Sequence, residues 1–147
     1  MKKGHLIIAI TTLCLLAVLL VSCTVSYSFM HGEPDVDAIK IEIVNLETEM
    51  GYHAGSPYSE EHISVIKVIE NDQIEDFLSD FKKIKSYQPF GGRIDCISGN
   101  AIRIIYPNGD IELITDYGTA TVKQGEIRTQ TTTFDSEDFD ALLIKYW

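Results

Sequence analysis

Few side chains in this 147-residue chain have the type and spacing to do chemistry, and most of them fall in one stretch. "GYHAGSPYSEEH", residues 51–62, gathers Tyr52, His53, Ser56, Tyr58, Glu60, Glu61 and His62. A histidine three positions from a serine invites a hydrolytic reading. The α/β-hydrolase nucleophile, however, sits on a G-x-S-x-G elbow, which the chain lacks, and no third triad member can be assigned to Ser56 and His53. Metal ligation by His53, Glu60, Glu61 and His62 fails a similar test, because their spacing matches neither H-E-x-x-H nor a Cys/His cluster. No metal and no other cofactor is expected. Recognition suits these residues better, since tyrosine joins a large apolar ring to a hydrogen-bonding tip and is enriched at interfaces. Tyr52, His53, Tyr58 and His62 are therefore the candidate binding loop. The alternative is that both rings fold back on neighbouring strands.

Elsewhere the reactive candidates are isolated. Cys96, in "RIDCI", reads as a buried strand residue, because free cysteine is among the most buried residue types. Asp95, Asp110 and Asp116 could serve a hydrolase that draws carboxylates from separate strands, but nothing in their spacing brings them together. The acids of "DSEDFD" lack the glycine and distal glutamate of a calcium loop, and Gly91-Gly92 reads as a turn. No catalytic residue is assigned.

The elements that must position these residues follow from periodicity. "AIKIEIVN", residues 38–45, alternates Ile39, Ile41 and Ile43 with Lys40 and Glu42, the pattern of a half-buried strand. "ISVIKVIE", residues 63–70, is rich in β-branched residues and reads as the next. The connection between them is long for a small domain, and such loops are often functional or mobile. Ile74, Phe77, Leu78, Phe81 and Ile84 lie on one helical stripe, with Asp72 as a capping acceptor, Glu75 reaching back to it and Lys82, Lys83 and Lys85 near the end. After Arg93 the chain reads as an antiparallel meander: "RIDCI", a turn at "SGN", "AIRIIY" and "IELIT" around "PNGD", then "TATVK" and "EIRTQTTTF" across Gln124-Gly125. Gly109 suits a left-handed turn position. A closing helix starts near Asp135 or Ser136 and carries Phe139, Leu142, Leu143 and Tyr146 on its apolar side. Segregated helices and hairpins predict an α+β fold, with a largely antiparallel sheet of about six or seven short strands and two amphipathic helices packed on it.

The first 22 residues stand apart from this domain. Lys2 and Lys3 form a basic start, Leu6 to Val21 an apolar core, and "LVSC" places small Ser22 before Cys23, the layout of a secretory signal. It resembles the signal of bacterial lipoproteins, with Leu20, Val21, Ser22 and Cys23 matching the lipobox position by position. The resemblance implies cleavage before Cys23, acylation of Cys23 and a lipid-anchored place on the extracytoplasmic face of a bacterial membrane. An uncleaved anchor is the alternative, because 18 residues from Leu6 to Cys23 are at the short end of a bilayer span. Residues 23–37, with Gly32 and Pro34, read as the lipidated N-terminus and a tether. Residues 38–147 read as the single domain.

Charge narrows the partners. The whole chain carries −10, and removal of Lys2 and Lys3 with the signal leaves 10 basic against 22 acidic residues, a formal charge of −12. Such a surface repels phosphate backbones, which excludes nucleic acid and favours a basic protein partner. The membrane is then held through the lipid. Three classes follow: a noncatalytic lipid-anchored binding or accessory domain, with an immunity- or inhibitor-like role toward a basic protein as one version; a cell-envelope hydrolase; and a structural envelope component.

Overall fold

The computed structural model describes residues 24–51, 58–88 and 94–147. Its strands are β1 (Thr24–Val25), β2 (Lys40–Gly51), β3 (Ile63–Val68), β4 (Ser86–Tyr87), β5 (Cys96–Ile105), β6 (Ile111–Ile114), β7 (Thr119–Lys123), β8 (Glu126–Gln130) and β9 (Thr133–Phe134). Its α-helices are α1 (Ile74–Phe81) and α2 (Ser136–Tyr146). The long strands form one antiparallel sheet in the order β3-β2-β5-β6-β7-β8, and β1, β4 and β9 form a small second sheet in the order β1-β4-β9. The α+β class and the C-terminal meander expected from the sequence are both present.

Each face of the large sheet has its own core. Ile41, Ile43, Ile102, Ile104 and Ile114 pack on Ile74, Phe77, Leu78 and Phe81 of α1 and on Phe139, Leu142 and Leu143 of α2. The opposite face gathers Val44, Leu46, Met50, Ile97, Ala101, Leu113, Ala120, Val122 and Ile127. Side chains from β2 and β8 meet in that second core, and the two strands touch. The sheet therefore curls toward this face into a half-barrel, as a twisted sheet does when its ends approach. This overturns the expectation of a half-buried β2. Glu42, placed by alternation on a solvent face, is only 2% exposed, because the curled sheet covers that face as well.

Several boundaries differ from expectation for identifiable reasons. β2 continues through "LETEMG", where a bulge sets Glu47, Thr48 and Glu49 against one residue of β5 between the pairs Leu46↔Gly99 and Met50↔Ile97. A bulge breaks strict alternation, so this half of the strand looks like loop. "SGN" is no turn: Gly99 has φ 83° but lies inside the continuous β5. Gly109, by contrast, is left-handed with φ 84°, and its N–H donates to Tyr106 O at 2.9 Å. Gln124 and Gly125, with φ 53° and 82°, make the two-residue turn between β7 and β8.

Asp72 does not cap α1. The chain enters through a 3-10 turn, Asn71–Gln73, and neither the turn nor the helix has a side-chain cap. The Gln73 N–H instead donates to Glu70 O at 2.8 Å. α1 ends at Phe81, so buried Ile84 packs from beyond the helix. At α2 the expectation holds, with Asp135 accepting from the Asp138 N–H at 3.2 Å. The helices are joined through Asp80, which accepts from Lys83 (2.8 Å), Lys145 (2.5 Å) and the Tyr146 hydroxyl (2.9 Å). Hydrogen bonds from Lys145, Lys83 and Tyr146 hold its carboxyl well below the usual carboxylate range.

The segment expected to be a tether is packed on the domain. Phe29 is 5% exposed, and the Tyr27 ring meets Phe29, Phe81 and Phe134 at centroid distances of 5.2, 5.5 and 5.4 Å. Glu112, 2% exposed, accepts from the Tyr27 hydroxyl (2.5 Å), the Tyr106 hydroxyl (2.6 Å) and the Met30 N–H (3.2 Å). Burial, followed by the Glu112 carboxylate, pushes the Tyr27 phenol far up, and burial with Glu112 does the same to Tyr106. His31 reaches Asp110 at 2.9 Å. Residues 24–39 thus form a strap that starts at the small sheet, crosses the helix-side core and reaches the β5–β6 turn. Gly32, left-handed with φ 77° and its N–H donating to Phe29 O at 3.0 Å, serves a turn in this strap.

Cys96 also departs from expectation. It is partly exposed at the start of β5 while Ile97 enters the core. Burial, followed by the nearby Glu49 carboxylate, pushes the thiol up, which lowers its thiolate fraction, and the thiolate is the reactive form. Native Cys96 is expected to react with a maleimide at pH 7 more slowly than the denatured chain, and the difference should narrow at higher pH. Equal rates at pH 7 would show that the thiol is neither screened nor shielded.

Candidate functional site

The part of the candidate loop that is described, Tyr58–His62, is fastened to the half-barrel by one buried arginine. Arg103 stands on β5 directly opposite Glu42 of β2 and is 5% exposed. Its Nε donates to Glu42 Oε2 at 2.6 Å and its Nη2 makes a second contact with the same oxygen. Nη1 reaches Glu60 Oε2 at 2.5 Å and donates to the Tyr58 hydroxyl oxygen at 3.2 Å. The Tyr58 O–H in turn donates to Glu60 Oε1 at 2.9 Å. Lys40 adds a partner for Glu42 Oε1 at 2.7 Å. Every limb of the guanidinium fork is used, the arrangement that suits arginine to buried carboxylates.

Electrostatics agree with this geometry. Burial pulls Arg103 toward losing its charge, but its hydrogen bonds to Glu60, Tyr58 and Glu42 outweigh it and the guanidinium ends above its ordinary value. Tyr58 is pushed up to about 12, first by burial, with Arg103 acting against the shift.

Backbone contacts complete the attachment. The Tyr58 N–H donates to Gly125 O at 2.9 Å, which ties the segment to the β7–β8 turn. That turn and the β5–β6 turn flank an open groove of about 650 Å³. Asp110, Thr121, Lys123, Glu126 and Arg128 line it, so the groove is polar and carries both signs of charge.

The sequence candidates are distributed as follows. Tyr58 is half-buried against the second core, so its ring packs on the strands. His62 is exposed at the end of the 3-10 turn Glu60–His62. Tyr52, His53, Ser56 and Cys23 lie outside the described residues. Asp110 and Asp116 flank β6 at opposite ends, on the order of 20 Å apart along six residues of strand, and Asp95 precedes β5. The structure does not assemble these three. Among the described residues, no three His, Cys, Asp or Glu side chains gather as a metal-ligand set, and no helix is long and apolar enough to cross a membrane.

Arg103, Glu42 and Glu112 are not legible in the sequence as site residues. Arg103 and Glu42 sit on alternating strands as ordinary outward-facing charges would, and only the cross-strand register with a second core makes them a buried pair. Comparison with protein-family models, curated proteins and solved structures finds no match for this chain.

Proposed function

We propose that this protein is a lipid-anchored, extracytoplasmic binding domain, noncatalytic, that engages a basic protein in an immunity- or inhibitor-like manner. The observation that carries this reading is how the charges are distributed. Of the few cations in an acidic chain, Lys40, Lys82, Lys83, Arg103 and Lys145 are engaged in internal ion pairs. The acids on the outer faces of both helices, among them Glu75, Asp76, Glu137 and Asp140, stay exposed. The field over the helix faces is therefore negative, which steers basic partners in and phosphate-rich ones away. The lipobox residues Leu20 to Cys23 support the location. The clamp that Arg103 forms with Glu42, Glu60 and Tyr58 supports binding, because it fastens the exit of the candidate loop beside the groove, and recognition surfaces work best on a fixed frame.

Two measurements test the reading. Labelled palmitate should enter the wild-type protein, and Cys23→Ala should abolish labelling and leave an uncut precursor. Membrane fractionation without palmitate would instead favour an uncleaved helix. Capture from native membranes should recover a basic protein that dissociates as salt rises from about 50 mM to 0.5 M, where exposed charges are screened beyond a few ångströms. An acidic or salt-insensitive partner would sink the charge argument.

A further inference from the structure

Where the domain begins relative to its anchor has a geometric consequence. Thr24 is already in β1, paired with Tyr87 of β4, and Cys23 is one peptide bond away, about 3.8 Å between α-carbons. The strap that follows is held at Phe29, by Tyr27 and Met30 on Glu112, by His31 on Asp110 and by Glu33 on Lys82. It has no slack to act as a spacer. From Thr24 to His31 it runs from the small sheet to the β5–β6 turn, roughly 20 Å if extended. The two ends of the domain are thereby distinct poles. One consists of β1, β4, β9 and the β6–β7 turn, joined where the Phe134 N–H of β9 donates to Asp116 O at 2.6 Å. The other consists of the β5–β6 and β7–β8 turns with the groove between them.

We infer that the small-sheet pole lies against the bilayer in a fixed orientation and that the groove pole points away from it. The inference rests on the anchor at Cys23 and adds to it the absence of a tether. Tyr87 is partly exposed at this pole, and Tyr117 and Lys85 are exposed beside it; such amphipathic rings and lysines suit the headgroup level. Asp116 and Asp135 also sit there, accepting hydrogen bonds from Ser136 and Asp138. The covalent anchor, not lipid charge, therefore sets the orientation. A partner must reach a groove held on the order of 20–30 Å above the membrane, a height set by strand length.

The test uses the full-length protein purified from membranes and reconstituted in phosphatidylcholine vesicles that carry a headgroup quencher. In a Cys96→Ala background, a small fluorophore is placed at Gln88→Cys or Lys85→Cys on the near pole and at Glu126→Cys on the far pole. Quenching at either near site should exceed that at the far site at least threefold. A ten-residue Gly/Ser insertion between Cys23 and Thr24, with a reach of roughly 16–19 Å, should largely erase the difference. Equal quenching at both poles in the uninserted, membrane-bound protein would overturn the fixed orientation while leaving the anchor intact. If the protein neither incorporates palmitate nor floats with vesicles, the anchor reading fails and the orientation with it.

Discussion

Arg103→Met is expected to lower the stability of the domain by about 3 kcal/mol, near the lower end of what removing one partner of a buried ion pair costs. The lower end applies because the remaining carboxylates have other recourse. Glu42 keeps Lys40, whose side chain is 54% exposed, and Glu60 is 62% exposed and can return to water. For a domain of this size the loss corresponds to a drop of roughly 10 °C in Tm, measurable by circular dichroism or urea titration. The double variant Glu42→Leu with Arg103→Met should be less destabilised than the single one, since the charge left stranded in the core is then removed as well. A Tm within about 2 °C of wild type in Arg103→Met would show that the clamp is not an energetic feature of the fold. The clamp should also respond to alkali. Tyr58 has its folded pKa raised to about 12, so its contribution is fully present below the unfolded tyrosine value near 10 and is lost as pH rises through 12.

The parts of this fold that are legible in the sequence are those whose signal is local. The stripe Ile74, Phe77, Leu78 and Phe81, the Asp135 cap and the turns at Gly109 and Gln124-Gly125 each declare themselves within a few residues, because helix period and left-handed turn positions depend on near neighbours. The parts that are not legible depend on residues far apart in the chain. Alternation in "AIKIEIVN" marks two faces but cannot tell that β8 curls round to cover the second. Glu42 therefore reads as solvated until Arg103, 61 positions away, is set opposite it. The bulge after Leu46 hides half of β2, and Gly99 imitates a turn. Of the candidate site, Tyr58 is recognisable as a contact residue, yet its neighbours Arg103 and Gly125 belong to other parts of the sheet and only the folded register supplies them. His62 is expected from the sequence to belong to the binding loop, and it lies exposed at the end of the 3-10 turn beside Tyr58.

Phe29→Ala is expected to cost about 3 kcal/mol, the lower part of the range for removing a buried phenylalanine from a core. On the tether reading of residues 23–37 the same change would cost nothing, because an exposed linker side chain has no packing to lose. The two accounts therefore differ by more than any plausible measurement error. Phe29 sits between Tyr27 and Phe81, with ring centroids 5.2 and 5.8 Å away, so truncation leaves a hole that the aromatic cluster can close only in part. Tyr27→Phe provides an independent reading of the same strap. It keeps the ring and deletes one donor to Glu112, so it should cost roughly 2 kcal/mol, the scale of a hydrogen bond to a charged group. The effect on orientation should follow the effect on stability. With Phe29 truncated, the strap is held chiefly by Glu112 and the His31–Asp110 contact, and hydrogen exchange at the Met30 and Gly32 amides, which bond to Glu112 and to Phe29 O, should rise before exchange in β5. Unchanged Tm and unchanged exchange in Phe29→Ala would return residues 24–37 to the status of a linker and free the domain from its fixed pose at the membrane.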